Sequence, residues 1–278
     1  MPLTSPRLWV VATPLGNPGD LSPRARYVLE TADVILAEDT RRAAQLCARH
    51  GIHARNFLSF YEHNEEQRAE EALRLLRAGR SLALISDGGT PLVADPGYRL
   101  VRACRKEGIT VSPLPGPCAP AVALSAAGLP PLPFTFLGFL PRNAAGQKAL
   151  FAAFAATPGA LVFFERKDRL KVSLALALTV LGPREMAVCR ELTKTHEEFI
   201  LTRLEKSAEL SDGLLGELTI VIGPPEQTER TSVEEVRLLV NLEAEPGDKP
   251  RALARRLQRL TCGWSRKELY SLILDNKN

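Results

Sequence analysis

Residues 81–97 read SLALISDGGTPLVADPG. The first six form a short apolar run bounded by serines, the length of a buried strand. The next eleven carry three glycines and two prolines. Glycine removes the Cβ that would hold a ligand off the backbone, and proline keeps the loop stiff. Asp95 and Pro96 then restart a helix that runs to Gly108. Strand, stiff loop and helix in that order make half of a βαβ unit. Ligands of such sheets bind beyond the carboxyl ends of the strands.

The same order repeats on both sides. Upstream, LWVVAT (8–13) runs into TPLGNPGD (13–20), and Ser22-Pro23 opens a helix to about Thr31. DVILAE (33–38) is a second strand. Asp39 and Thr40 cap a helix that Gly51 ends, and Asn64 opens another that Gly79 stops. Downstream, ITVSPL (109–114) leads into LPGPCAPA (114–121) and a helix of small residues. Three Gly and Pro loops at strand ends point to a preorganised small-molecule pocket.

GLPPLP (128–133) breaks the pattern, because its three prolines continue neither a helix nor a central strand. It sets a domain boundary, giving an α/β domain over 1–129 and a second over 130–225. Strands are expected at 134–139, 160–165, 186–191 and 217–223, with 196–204 adding an antiparallel ribbon. GPPEQTERTS (223–232) reads as a linker to a small helical domain over 230–278. There Leu253, Leu257 and Leu260 share a face, and Ser265 with Glu268 forms a capping box. Two short helices around a glycine turn resemble a helix-turn-helix.

At 278 residues the chain has room for a substantial core. Net charge is +4, with 27 Arg among 36 cations. Residues 249–268 concentrate the charge: seven cations and one anion, a net +6. That density fits a nucleic-acid partner; a solvated basic cap is the bland reading. Five scattered cysteines without a CxxC pair suit a reducing cytoplasm, and no stretch reads as a signal peptide or membrane span. His50, His53 and His196 lack metal-ligand spacing. Neither G-x-G-x-x-G, a P-loop nor G-x-S-x-G occurs.

Seven stretches in order carry a resemblance: VATPLGNPGDLSPRA, ADVILAEDTRR, SFYEHNE, ISDGGTPLVADPG, PLPGPCAPAVALSAAGLP, FLGFLPR and RELTKTHEE. Together they resemble the ribosomal RNA small subunit methyltransferase I family, over about residues 8–223. The resemblance implies a two-domain fold like that of the tetrapyrrole methylases, with S-adenosylmethionine in the interdomain cleft. It implies transfer of a methyl group to the ribose 2′-hydroxyl of a 16S rRNA cytidine near the decoding centre, in the free RNA or the small subunit. It also implies a homodimer. The tetrapyrrole branch generally reads GGDP where this chain has Gly88-Gly89-Thr90-Pro91; the Thr fits the ribosomal branch and argues against the alternative, a porphyrin or corrinoid substrate. A non-enzymatic RNA binder with an idle pocket is a third reading.

By the resemblance, cofactor contacts come from Leu15, Gly88, Gly89, Thr90 and Val93, from Cys118 and Ala119, from Phe164 and Glu165, and from Leu192. Cys118 departs from the more usual Ser. A ribose hydroxyl is a poor nucleophile and gains from a base or a polarising cation. Asp39 and Asp87 at strand ends are candidate bases, and Lys194 a candidate polarising group. Each has a plainer reading: Asp39 as a helix cap, Asp87 as a loop brace, Lys194 as a solvated charge. RNA contacts are expected from Arg41, Arg42, His63, Arg255, Arg256, Arg259, Arg266 and Lys267.

Overall fold

The structure is a computed structural model that describes residues 7–211, 213–226, 231–245 and 248–275. It divides into two compact units, 1–225 and 226–278. Positions 227–230 of the expected linker lie outside the described residues.

The first unit holds two five-stranded sheets. One is built from β1 (Arg7–Val11), β2 (Val34–Ala37), β3 (Phe57–Ser59), β4 (Leu82–Ile85) and β5 (Thr110–Leu114), in the order β3-β2-β4-β1-β5. Every pairing is parallel. Helices α1 (Pro23–Thr31), α2 (Thr40–Arg49), α3 (Glu65–Arg77), α4 (Tyr98–Lys106) and α5 (Ala119–Ala126) lie between or after these strands. Local chemistry places several ends. The Ser22 hydroxyl accepts from Ala25 N at 3.1 Å, with Pro23 at the first helical position. The Asp39 carboxylate accepts from Arg41 N at 2.8 Å and caps α2. The short edge strand β3 was not expected: FLS is too brief to show a period. α4 begins at Tyr98 after a cap at Gly97 (φ 130°), so Asp95 stays in the loop.

The second sheet orders β6 (Phe134–Phe139), β7 (Ala160–Glu165), β8 (Glu185–Arg190), β9 (Glu198–Arg203) and β10 (Leu218–Ile222) as β6-β7-β10-β8-β9. Only β6–β7 is parallel; β9 pairs antiparallel with β8 as the expected ribbon. Helices α6 (Ala144–Phe154) and α7 (Leu170–Leu181) complete this half.

The two expected α/β halves each carry one of the two sheets, and both belong to one compact unit. The reason is a shared core: Ala123, Leu124, Ala127 and Leu129, at and after α5, pack with Ala160, Val162, Ala187, Cys189 and Val221 of the second sheet. A buried Leu or Val side chain contributes roughly 1.5–3 kcal/mol, so this seam binds the halves together. Burial also pushes the Cys47 and Cys104 thiols up to about 11 and Cys189 to about 12, keeping them protonated and unreactive.

The second unit consists of α8 (Val233–Glu243), α9 (Pro250–Leu257) and α10 (Arg266–Asp275) around Val236, Val240, Leu253, Leu257, Leu269 and Ile273. The Ser265–Glu268 capping box forms as expected, Ser265 N donating to Glu268 Oε2 at 2.7 Å. Leu260, expected inward, is half exposed because α9 ends at Leu257. No described helix is long and apolar enough to cross a membrane.

Candidate functional site

β4, β1 and β5 are neighbours in the sheet, so the three Gly and Pro loops that follow them meet. Hydrogen bonds clip them together. Thr13 N donates to Gly89 O at 2.9 Å and Gly89 N donates to Thr13 O at 3.0 Å. The Thr90 hydroxyl donates to Pro117 O at 2.8 Å, which explains a threonine in that loop. Between these loops and the second sheet lies a cavity of about 560 Å³. Leu15, Gly88, Gly89, Thr90, Val93, Cys118, Ala119, Phe164 and Glu165 all line it. Leu192 does not; it is buried in the core seam, against which Leu15 packs.

The cavity fits S-adenosylmethionine. Its volume falls within the roughly 300–1,000 Å³ usual for small-molecule sites. The glycines form a cradle that side chains would fill. A Cβ on Gly88 would lie 3.4 Å from Pro14 O, and one on Gly89 (φ 88°) 3.1 Å from Leu15 Cδ2. Leu15, Val93, Phe139 and Phe164 supply apolar walls for an adenosine, with Phe139 and Phe164 edge-to-face at 5.2 Å. The Glu165 carboxylate is tied down from behind by Arg166 N, Arg169 Nη2 and the Ser173 hydroxyl. Among the described residues no cluster of His, Cys, Asp or Glu is placed to hold a metal ion.

The carboxylates divide by role. Asp39 does not line the cavity. Hydrogen bonds from the Arg41 side chain and backbone hold its carboxyl down at about 2, which makes it a cap and a poor proton acceptor. Asp87 lines the cavity and braces the start of α2, accepting from Asp39 N at 3.3 Å and Arg42 Nη1 at 2.9 Å. Asp95 differs. It sits half-buried on the cavity wall, and desolvation, then the nearby charge of Glu38, push its carboxyl up to about 6. A hydrogen bond from Ser86 pulls the other way, and Asp87 adds a smaller upward push. Glu38, one residue after β2, is raised too, by desolvation first and then by Asp87. Sequence reasoning read Asp95 as a helix start, and its position inside the motif 86–97 was the only available signal.

Lys194 serves as a strap. A Cβ on Gly16 would overlap its stem, so only glycine lets the 191–194 turn lie on the first loop. Its Nζ donates to Glu191 at 2.9 Å and to Glu217 at 3.0 Å. Burial alone would lower its pKa; these bonds outweigh it and raise it. Glu191 (φ 49°) and Thr193 (φ 64°) adopt left-handed backbone, and Thr193 Oγ1 accepts from Asn17 N at 3.2 Å. The strain is held by contacts from both halves. Gly216 to Thr219 also reach the cavity; the sequence reads 217–223 as a strand but carries no sign that its start lines the site.

Arg42 lines the cavity, Arg41 is exposed and paired with Asp39, and exposed His63 packs edge-on to Tyr61 away from the cavity. In the second unit Arg255, Arg259, Arg266 and Lys267 are exposed. Arg256 is not available for RNA in the same way: it pairs with Asp248 and donates to Glu243 O, tying α9 to the preceding turn.

The tetrapyrrole (corrin/porphyrin) methylase family model matches residues 7–208. The ribosomal RNA small subunit methyltransferase I of Escherichia coli O157:H7 is 42 % identical over 278 residues, covering 98 % of this chain and 96 % of that protein. Its namesake from Mesorhizobium japonicum is 40 % identical, covering 98 % and 93 %. Among solved structures, uroporphyrin III C-methyltransferase from Thermus thermophilus aligns with a TM-score of 0.58 at 23 % identity, over 78 % of this chain and 97 % of that one. A diphthine synthase aligns with a TM-score of 0.62 at 13 % identity, over 78 % and 90 %. The two structural likenesses speak for the fold. The near full-length identity to proteins of one name decides the branch: this chain belongs to the ribosomal RNA small subunit methyltransferase I family, within the tetrapyrrole methylase fold.

Proposed function

We propose that the protein methylates the ribose 2′-hydroxyl of a cytidine in 16S rRNA, with the assembled small ribosomal subunit as substrate. The donor is S-adenosylmethionine. The observation that carries the reading is the glycine-floored cavity beside Asp95, in a chain whose near full-length relatives are rRNA methyltransferases. When bound, the donor supplies an electrophilic methyl group on a sulfonium. The chain's own residues do the rest. Gly88 and Gly89 let the backbone approach the donor, and the apolar walls exclude water. Asp87 and Arg42 fix the start of α2 at the cavity mouth. Asp95 accepts the hydroxyl proton as the new bond to carbon forms. Most of the acceleration comes from holding hydroxyl and methyl in line.

Nucleoside mass spectrometry of 16S rRNA from a deletion strain tests the reading. Loss of one 2′-O-methylcytidine, restored by adding the purified protein to subunits, supports it; an unchanged map rejects it.

The exposed cations of the second unit are assigned to the phosphate backbone. Replacing Arg255, Arg259 and Lys267 by Ala is expected to weaken subunit binding about uniformly across RNA sequences. The slope of log affinity against log salt should fall by about one for each lost contact. An unchanged slope removes these residues from the interface. The reading includes a homodimer in the cytoplasm. Exposed Leu132, just before the edge strand β6, and Phe134 at its start support self-association, and light scattering at twice the 30.4 kDa chain mass checks it.

A further inference from the structure

A second chamber opens beside the cofactor cavity. It measures about 230 Å³ and lies between the loop after β1 and the inner face of α2. The two cavities share Leu15, Arg42 and Asp87 as a common wall. The mechanism above leaves the chamber without a role, yet it has the chemistry of a binding site. One side is apolar, formed by Pro14, Pro18 and Leu46. The other presents polar groups from α2 and its C-cap: Gln45, Arg49 and His50. Buried His50 Nε2 has no hydrogen-bond partner among the described residues. Leaving such an atom unsatisfied is unfavourable, and a small shift of the ring toward the chamber would let a ligand satisfy it. Arg49 likewise has no ion-pair partner among the described residues, and it lines the same chamber.

We propose that this chamber receives the target nucleotide, turned out of the RNA, with its base against the apolar side and its phosphate toward the arginines. The inference rests on the rRNA reading and deepens it. Three features choose a nucleotide. The wall shared with the donor cavity puts the sugar of a bound nucleotide next to the Asp87 wall, where the methyl group must arrive. An apolar face opposite a polar edge is one way proteins hold unstacked bases. The volume lies below the roughly 300 Å³ at which drug-sized sites begin, so it excludes a tetrapyrrole and leaves room for a base and its sugar, with the phosphate at the exposed Arg49 mouth. Arg42, held to Asp87 at 2.9 Å, stands between the chambers and orients the sugar without leaving its ion pair.

The test uses the full chain. Gln45 is exposed on α2 and lines only the smaller chamber, so Gln45→Trp fills that space at little folding cost. Calorimetry is expected to show an S-adenosylhomocysteine Kd within twofold of the native protein. Methylation of unmodified small subunits at saturating donor is expected to lose at least about 50-fold in kcat/KM. The second arm is ¹⁵N-histidine NMR with cytidine 5′-monophosphate as probe, in the presence of S-adenosylhomocysteine. The His50 Nε2 resonance, assigned with His50→Gln, is expected to shift in the native protein and not in Gln45→Trp. Normal turnover by a folded Gln45→Trp, or an unmoved His50 resonance in the native protein, overturns the proposal. If the native protein binds donor but leaves subunits unmethylated, the rRNA reading fails instead. The NMR arm then still decides whether the chamber takes a nucleotide.

Discussion

Asp95→Asn is expected to lower kcat by about 10²–10⁴, the usual contribution of a positioned base, while donor affinity stays near native. Stability should move the opposite way. Burial, which strips water from the carboxylate, pushes the folded carboxyl up to about 6 from the ordinary aspartate value of 3.8. A raised carboxyl means that the folded state favours the neutral form. Stability is therefore lost as pH rises from about 4 to about 6, and the cost is fully present above that window. Asn removes the charge, so it should gain about 1–2 kcal/mol at pH 7.5, after allowance for solvent screening. The native pH–rate profile should climb with unit slope to about pH 6 and then level off; Asn should erase that limb. A merely structural Asp95 predicts lower stability and an unchanged profile. Calorimetric melting and single-turnover rates between pH 5 and 8 separate the two.

Gly89→Val should do the reverse, abolishing donor binding with Asp95 intact. Gly89 has φ 88°, and a Cβ would lie 3.1 Å from Leu15 Cδ2. Left-handed backbone at a β-branched residue costs on the order of 1–3 kcal/mol. The loop can relieve that strain only by breaking its paired bonds to Thr13, which hold the first and second loops together. The added methyls also enter the cavity floor. The expected result is a rise of at least about 100-fold in the S-adenosylhomocysteine Kd, worth about 2.7 kcal/mol, with a melting point lower by a few degrees. A Kd within threefold of native would place the donor elsewhere. The pair is diagnostic, because Asp95→Asn moves kcat and Gly89→Val moves Kd.

Most of the secondary structure follows from short-range chemistry legible in the chain. Ser22-Pro23, Asp39-Thr40 and Ser265-Glu268 start helices as read, because a cap needs only residues within one turn. The glycine loops are equally visible, and they line the donor cavity. Three things were out of reach. β3 is too short for a period. Leu192 reads as a wall, yet it packs in the seam between the halves. Asp39 and Asp95 each sit at the start of a helix in sequence. Only burial tells them apart, and burial depends on residues that are distant along the chain.

Order along the chain and the local grammar of strand, stiff loop and helix were therefore enough to establish an α/β protein with a preorganised pocket and a basic tail. Strand order was not, because hydrophobic runs record that a strand is buried and not which neighbour covers it. The arrangement β3-β2-β4-β1-β5 brings three separate loops to one rim. The packing of the 191–194 turn onto Gly16 closes the two halves together. Those long-range contacts decide which carboxylate loses water and becomes able to accept a proton, and which stays a solvated helix cap.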